Sequence, residues 1–254
     1  MSGSARAALV TGAARRIGRA LALDLAAQGF DVAVHYRQSH DEAQAVVAAI
    51  LAHGRRAVAL AADLADEAQT ARLLGAAAAA LGPITLLVNN AAMFGYDRPE
   101  TADAASWQRH MAVNLRAPLV LTQALLAGLP EDGAADVVNL IDERVLSLSP
   151  HYTSYTVAKA GLWVLTRHLA LALAPRVRVN AIAPGPVLPH AAMSDDEFAA
   201  LCRATPLGRG PGVDEICRAL RLILEAPSMT GQMITLDGGR HLGRQAPQGG
   251  PAAS

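Results

Sequence analysis

Cysteine is nearly absent from this 254-residue chain: Cys202 and Cys217 are the two, and they form no C-x-x-C pair. That spacing supports neither a disulfide framework nor a thiolate metal site, and it fits buried thiols in a reducing compartment. Aromatic residues are scarce as well, at 4%, so any aromatic pair placed together stands out. An excess of charge is missing too, since Lys plus Arg and Asp plus Glu both number 22. Without a basic or acidic surplus nothing draws the chain towards nucleic acid or an anionic membrane, and a small molecule is the expected partner. No run of eighteen uninterrupted apolar residues occurs, and Met1 to Arg6 lacks the apolar segment of a signal peptide. The expectation is a cytoplasmic protein with no membrane span.

What the chain does have is a 52% hydrophobic content, enough for a large core. Short apolar runs recur at Ala7 to Val10, Val32 to Val34, Ala57 to Leu60, Ile84 to Val88, Val137 to Ile141, Val177 to Val179 and Met233 to Leu236. Helix-length segments separate several of them, as in 16–28 closed by Gly29, 41–53 closed by Gly54, and 67–81 closed by Gly82-Pro83. Continuously apolar strands alternating with helices predict an α/β fold: one doubly wound Rossmann domain, with a parallel sheet of about seven strands covered on both faces. The domain is expected over 1–242. Pro184 to Gly212 is crowded with Pro and Gly around a short helix near 194–203, which suggests a substrate lid at about 185–212. Residues 243–254, rich in Gly, Pro, Ala and Gln, are expected to form a flexible tail.

Directly after the first strand stands Thr11-Gly12-Ala13-Ala14-Arg15-Arg16-Ile17-Gly18, leading into a helix. Glycines there allow the backbone to approach a pyrophosphate, which the free N–H groups and dipole of a helix start favour. The second strand ends in His35-Tyr36-Arg37-Gln38-Ser39, with no carboxylate until Asp41. An acidic residue here would bind the ribose hydroxyls of NAD; Arg37 and Ser39, with Arg16 nearby, instead suit the 2′-phosphate of NADPH. Asp63-Leu64 and Asn89-Asn90-Ala91 close the third and fourth strands, on the carboxyl edge where open α/β sheets bind ligands. Asp63 suits a helix N-cap equally well. Tyr155 and Lys159 are four apart, hence on one face of a helix. A phenol with a reference pKa near 10 is a weak acid at neutral pH, and an adjacent positive charge is expected to favour its phenolate.

Together the glycine loop, Asn89-Asn90-Ala91, Asn114, Tyr155, Lys159 and Pro184-Gly185 resemble the short-chain dehydrogenase/reductase family over roughly residues 6–242. The loop follows that family's T-G-x-x-x-G-x-G pattern, with Arg16 at the usual middle glycine. The resemblance implies a cofactor held by Gly12, Arg15, Arg16, Ile17 and Gly18 and by Arg37 and Ser39, with Asp63 and Leu64 beside the adenine. It also implies that Asn89 and Ala91 touch the adenine ribose, that Lys159 and Tyr155 meet the nicotinamide ribose, and that Pro184 to Val187 flank the nicotinamide. Asn114 would support a proton-relay water. Family members are usually tetramers packed through helices near 102–129 and 152–174, so a homotetramer is expected.

Thirteen residues before Tyr155, where ketone reductases of the family usually carry serine, this chain has Asp142. An ionised carboxylate only accepts hydrogen bonds and would repel a developing oxyanion. It suits a substrate with N–H donors, or a ring nitrogen that gains a proton as C=N is reduced. With Arg16, His35-Tyr36 and Leu236 to Leu242, this Asp resembles the pteridine reductase and dihydromonapterin reductase branch. That implies Asp142, Tyr155 and Arg16 at the substrate, with Phe94 stacking on a flat ring; packing of Phe94 into the core is the other possibility. Ala91 to Phe94 lacks the hydroxyl side chains that pteridine reductases carry there, and Gln38 replaces a basic residue. A protonated Asp142 would be a donor and would restore carbonyl chemistry. A carbonyl reductase, or a cofactor-binding protein without catalysis, are therefore the alternatives. His151 and His190 suit loop positions as well as a substrate site.

Overall fold

In a computed structural model that describes residues 6–190 and 193–243, seven strands form one parallel sheet. They are β1 (Ala7–Val10), β2 (Asp31–Tyr36), β3 (Ala57–Ala61), β4 (Ile84–Asn89), β5 (Ala135–Leu140), β6 (Val177–Pro184) and β7 (Met233–Leu236), in the order β3-β2-β1-β4-β5-β6-β7. Every adjacent pair is parallel. The crossovers are α1 (Arg16–Ala27), α2 (His40–Ala52), α3 (Glu67–Leu81), α4 (Ala104–Met111) running on into α5 (Ala117–Gly128), α6 (Thr153–Leu173), and α7 (Asp195–Arg203) with α8 (Val213–Glu225). The expected single doubly wound domain is the one observed. The tail expected over 243–254 lies outside the described residues except for Gly243.

The sheet is buried on both faces, so the two-residue period of its side chains divides the core in two. Ala8, Val10, Val32 and Val34 pack with α1, α2 and α8 on one side. Ala7, Leu9, Ala33 and Leu87 pack with α3, α5 and α6 on the other. The chain winds outward through β2 and β3, then returns to place β4 on the other side of β1. That reversal opens a crevice at the carboxyl ends of β1 and β4, where a doubly wound sheet takes its ligand.

The most apolar 18-residue window of the helical stretch 104–128 has a mean hydropathy of 1.2, and 44% of that window is buried. By length and composition alone it could cross a membrane, but buried His110 and Asn114 and its packing on α3 and α6 make it a core helix. Between α4 and α5 residues Ala112–Arg116 form a π turn, a local widening that often accompanies functional positions.

Candidate active site

The loop after β1 is held from three sides. Gly12 adopts φ +62, a conformation that glycine reaches without penalty. Its N–H donates to His35 Nδ1 at 3.0 Å, while the other nitrogen of that ring meets the Ala62 carbonyl at 3.2 Å. Burial pushes His35 down to about 4, against the Ala62 hydrogen bond and the Asp63 charge, so the ring is neutral and able to accept from Gly12. Thr11 Oγ1 accepts from the N–H groups of Asn90 and Ala91 at 2.9 and 3.0 Å, and Asn90 Nδ2 donates to the Thr11 carbonyl at 2.8 Å. These contacts lock β1 to β4 at the crevice.

Gly18 is required by space. A Cβ there would fall 2.2 Å from the Gly12 carbonyl oxygen and 2.5 Å from Asn90 Nδ2. Gly18→Ala is therefore expected to destabilise the fold by about 1–3 kcal/mol through overpacking and to weaken cofactor binding, read by chemical denaturation and by KM for NADPH. Wild-type values for both would refute this account.

Helix α1 starts with no side-chain cap and no acidic residue in its first turn, which leaves its N–H groups for an anion. Arg15 is exposed and sits 3.6 Å from Glu42; Ile17 packs towards the α1 side of the core. Arg16 adopts φ +56, a strained conformation for a side chain with a Cβ. Its guanidinium donates to the carbonyls of Pro189 and Leu188 at 2.7 and 3.2 Å, tying the glycine loop to the segment after β6. Arg37 is exposed and Ser39 makes no side-chain cap with α2. Arg37, Gln38, Ala61, Ala62, Asp63, Gln69 and Arg109 line a cleft of about 580 Å³. Asp63 pairs with Arg109 at 3.0 Å, and its pKa is lowered, most by the Ala65 N–H. Asp63 is not the N-cap of α3; Asp66 fills that place by accepting from Gln69 N. Leu64 is buried. Pro184 ends β6, and Val187 packs partly against the core.

Asn89 is buried and donates to Asn139 Oδ1 at 2.8 Å, and Asn139 in turn donates to Thr166 on α6 at 2.9 Å. Asn114, in the π turn and fully buried, clamps Met93: its Oδ1 accepts from Met93 N at 2.8 Å and its Nδ2 donates to Met93 O at 2.9 Å. The amide thus fixes the segment that carries Phe94. Asp97, which the sequence pattern did not single out, accepts from Ser154 N with both oxygens at 3.2 Å. A carboxylate at a helix N-terminus is favoured by the dipole, and here it anchors α6 to the same segment.

Tyr155 and Lys159 lie on the buried face of α6, at 5% and 2% exposure. The Tyr155 hydroxyl donates to Asp142 Oδ2 at 2.9 Å. Asp142 lies two residues beyond β5 and caps the short turn Glu143–Val145, accepting from Arg144 N at 2.9 Å. Arg144 Nη1 reaches both of its oxygens, at 3.1 and 3.3 Å. Burial, followed by the Asp142 charge and hydrogen bond, raises Tyr155 well above its usual range, with Arg144 opposing. The expected tilt towards phenolate is thus corrected. Lys159 lies 5.8 Å from the Tyr155 ring centroid and donates to the Leu140 carbonyl at 2.6 Å, so burial, with Asp142 behind it, holds the phenol protonated.

Lys159 is itself lowered to about 8 by burial, against the pull of Asp142. Unfolded lysine titrates near about 10.4, so between the two values the unfolded chain binds more protons. Stability from this group therefore rises with pH across that window, the cost of the buried charge being fully present below it. Wild type is expected to gain stability relative to Lys159→Met from pH 8 to 10, measured by urea denaturation. A constant difference would refute the buried ammonium.

Beside the site Phe94 stacks on Tyr152, with centroids 4.5 Å apart at 18°, and meets Tyr155 edge-on at 4.8 Å. Phe94 remains 40% exposed, so it is a platform at the mouth and not a core residue. Tyr152 starts α6 at φ +64 and was not singled out by its spacing. Tyr96 contacts both Tyr152 and His151, and the His190 ring lies 6.0 Å from Phe94. Glu143 is buried against Arg240 at 2.8 Å. Burial first, and Asp142 and Asp237 with it, outweigh that pairing and raise Glu143 to about 7. Among the described residues no cluster of His, Cys, Asp or Glu could hold a metal.

The profile of the short chain dehydrogenase family matches residues 6–200. This chain belongs to that family. It is an oxidoreductase by that membership, and its relatives cover nearly its full length. An uncharacterised oxidoreductase of Mycobacterium tuberculosis is 38% identical over 244 residues, spanning 92% of this chain and 91% of the relative. A 3-oxoacyl-[acyl-carrier-protein] reductase of Synechocystis is 33% identical over 241 residues, spanning 93% and 97%. Among solved structures, FolM alternative dihydrofolate reductase 1 from Brucella canis, complexed with NADP, is 46% identical at a TM-score of 0.92, with 96% of this chain and 97% of that one covered. The angucycline C-6 ketoreductase LanV with bound NADP is 30% identical at 0.86, with 94% and 96% covered.

Proposed function

We propose that the chain is an NADPH-dependent reductase of a pterin-like C=N bond, in the dihydropterin, dihydromonapterin or dihydrofolate class. The observation that carries this reading is the Tyr155 hydroxyl on the Asp142 carboxylate at 2.9 Å, where ketone reductases of the family carry serine. The 46% identity to a protein named as an alternative dihydrofolate reductase, solved with NADP, supports it.

The residues present fit the cofactor. Gly12 and Gly18 permit close backbone approach to phosphates, Arg37 lines the cleft with Asp63 and Arg109, and Ser39 stands two residues further on at the start of α2. Arg15, Arg16, Ile17, Leu64, Asn89, Ala91, Pro184 and Val187 complete the holding set. When bound, NADPH supplies the hydride. Tyr155, kept protonated by its surroundings, turns its one hydroxyl proton from Asp142 to the ring nitrogen and gives it up there, so that C=N becomes CH–NH; solvent then restores the phenol. Asp142 orients the hydroxyl and accepts ring N–H groups. Lys159 and Arg144 offset the negative charge that proton donation leaves. Phe94 offers its ring to a flat substrate, and Asn114 holds Phe94 in register through Met93.

A second reading, carbonyl reduction, is favoured by the relatives named as 3-oxoacyl and angucycline reductases and by the protonated phenol, which suits a carbonyl oxygen as well. The two separate in one assay: NADPH oxidation by the wild-type protein, followed by absorbance, with 7,8-dihydropterins beside simple ketones. Turnover of dihydropterins is expected, and turnover of ketones alone would overturn the proposal. A homotetramer belongs to the same proposal, since α6 leaves Val164 and Leu171 exposed.

A further inference from the structure

We propose that Arg144 is a specificity-determining residue that receives a ring carbonyl lying beside the reduced C=N bond and so selects 4-oxo over 4-amino rings. The inference rests on the dihydropterin reading above. Arg144 Nη1 and the Tyr155 hydroxyl donate to the same oxygen of Asp142, at 3.1 and 2.9 Å. Two donors sharing one acceptor atom stand side by side. The guanidinium is fixed further by two aromatic rings, its carbon lying 5.5 Å from the Phe94 centroid and 5.2 Å from that of Tyr152.

That grip uses only part of the side chain. Nε and Nη2 meet no acceptor among the described residues, and the side chain keeps 19% exposure. Spare donors of a fixed cation therefore lie next to the phenol that delivers the proton and next to the platform that meets the ring. In a 7,8-dihydropterin the imine nitrogen that gains the proton is flanked by the C4 carbonyl. These two acceptors lie side by side on one edge of the ring, and Tyr155 and Arg144 lie side by side at Asp142: Tyr155 meets the nitrogen, Arg144 the oxygen. A 4-amino ring would instead turn an N–H group towards the guanidinium and set donor against donor, an unpaired arrangement that costs most where water is excluded.

The test compares wild type, Arg144→Met and Arg144→Lys on a 4-oxo 7,8-dihydropterin, with 2,4-diaminopteridine as inhibitor and NADPH fluorescence as the check on folding. A hydrogen bond to a charged donor implies that Arg144→Met loses about tenfold to a hundredfold in kcat/KM, the rise in KM reporting the lost ring carbonyl contact and any fall in kcat the lost charge beside Tyr155. Arg144→Lys is expected to recover most of that loss, and 2,4-diaminopteridine to bind Arg144→Met more tightly than wild type. If Arg144→Met binds NADPH normally and keeps the wild-type KM, or loses affinity for the oxo and the diamino ring alike, the inference is overturned alone. Wild type inert towards every dihydropterin would overturn the underlying function, and this inference with it.

Discussion

Tyr155→Phe is expected to lower turnover about a thousandfold while NADPH still binds, because the variant removes one oxygen and the proton it carries. General acid catalysis by a placed side chain contributes of this order. The loss should fall on kcat with KM for NADPH little changed, since the phenol is spent in the transition state. The phenylalanine ring keeps the edge-on contact with Phe94 and fills the same buried space, so a folding defect does not mimic the result. The Tyr155 pKa lies well above its usual value because of burial and Asp142, so the wild-type reductase should keep its proton donor across neutral pH. Stopped-flow measurement of NADPH oxidation with a saturating substrate separates the two steps. A variant within tenfold of wild type would show that Tyr155 is not the acid and that another group or solvent delivers the proton.

The fold was readable because its signals are local. Each strand is an apolar run bounded by turn residues, and Gly29, Gly54 and Gly82 mark three helix ends within a few positions. The short helix expected near 194–203 begins at Asp195 behind Ser194, whose capping box with Glu197 is a sequence signature. The Tyr155 and Lys159 pair was legible for the same reason, as one helical turn brings them to one face. Contacts between distant segments were not legible. Arg16 meets carbonyls 172 and 173 residues away, and no spacing rule reaches that far. Asp97 and Tyr152 became site residues only when α6 docked on the segment after β4. Asp63 and Asp66 look alike as caps, and the choice fell to the one whose oxygen faces Gln69 N. The direction of the Tyr155 shift was missed because spacing does not show how deeply the phenol is buried, and because the helical neighbour Lys159 turned to Leu140 while Asp142, thirteen residues earlier, took the hydroxyl. His35 had a usable signal, being a polar residue that follows the apolar run Val32 to Val34 of β2, beside a glycine loop that needs an acceptor.

Asp142→Ser is expected to act in opposite directions on the two substrate classes. Dihydropterin turnover should fall about a hundredfold, the scale found when a preorganised electrostatic group is removed from a reacting centre. Turnover of simple ketones should appear or rise, because a serine hydroxyl can donate to a carbonyl oxygen whereas a carboxylate paired with Arg144 accepts. The chemistry is a matter of which atom carries the proton. With Asp142 in place the Tyr155 hydroxyl is positioned by an acceptor at 2.9 Å until substrate arrives, and a substrate N–H finds the same acceptor. With serine, the hydroxyl joins Tyr155 in donating to one oxygen. Arg144 loses the partner that holds Nη1 at 3.1 Å, so part of the loss could come from a misplaced guanidinium. Asp142→Asn resolves this, since its amide oxygen can still accept from Tyr155 and Arg144 N but carries no charge. If charge matters, Asp142→Asn falls with Asp142→Ser on dihydropterins; if placement alone matters, it stays near wild type. A serine variant that keeps dihydropterin turnover and gains nothing on ketones would mean that the carboxylate does not select the substrate, and the pterin reading would lose the observation on which it stands.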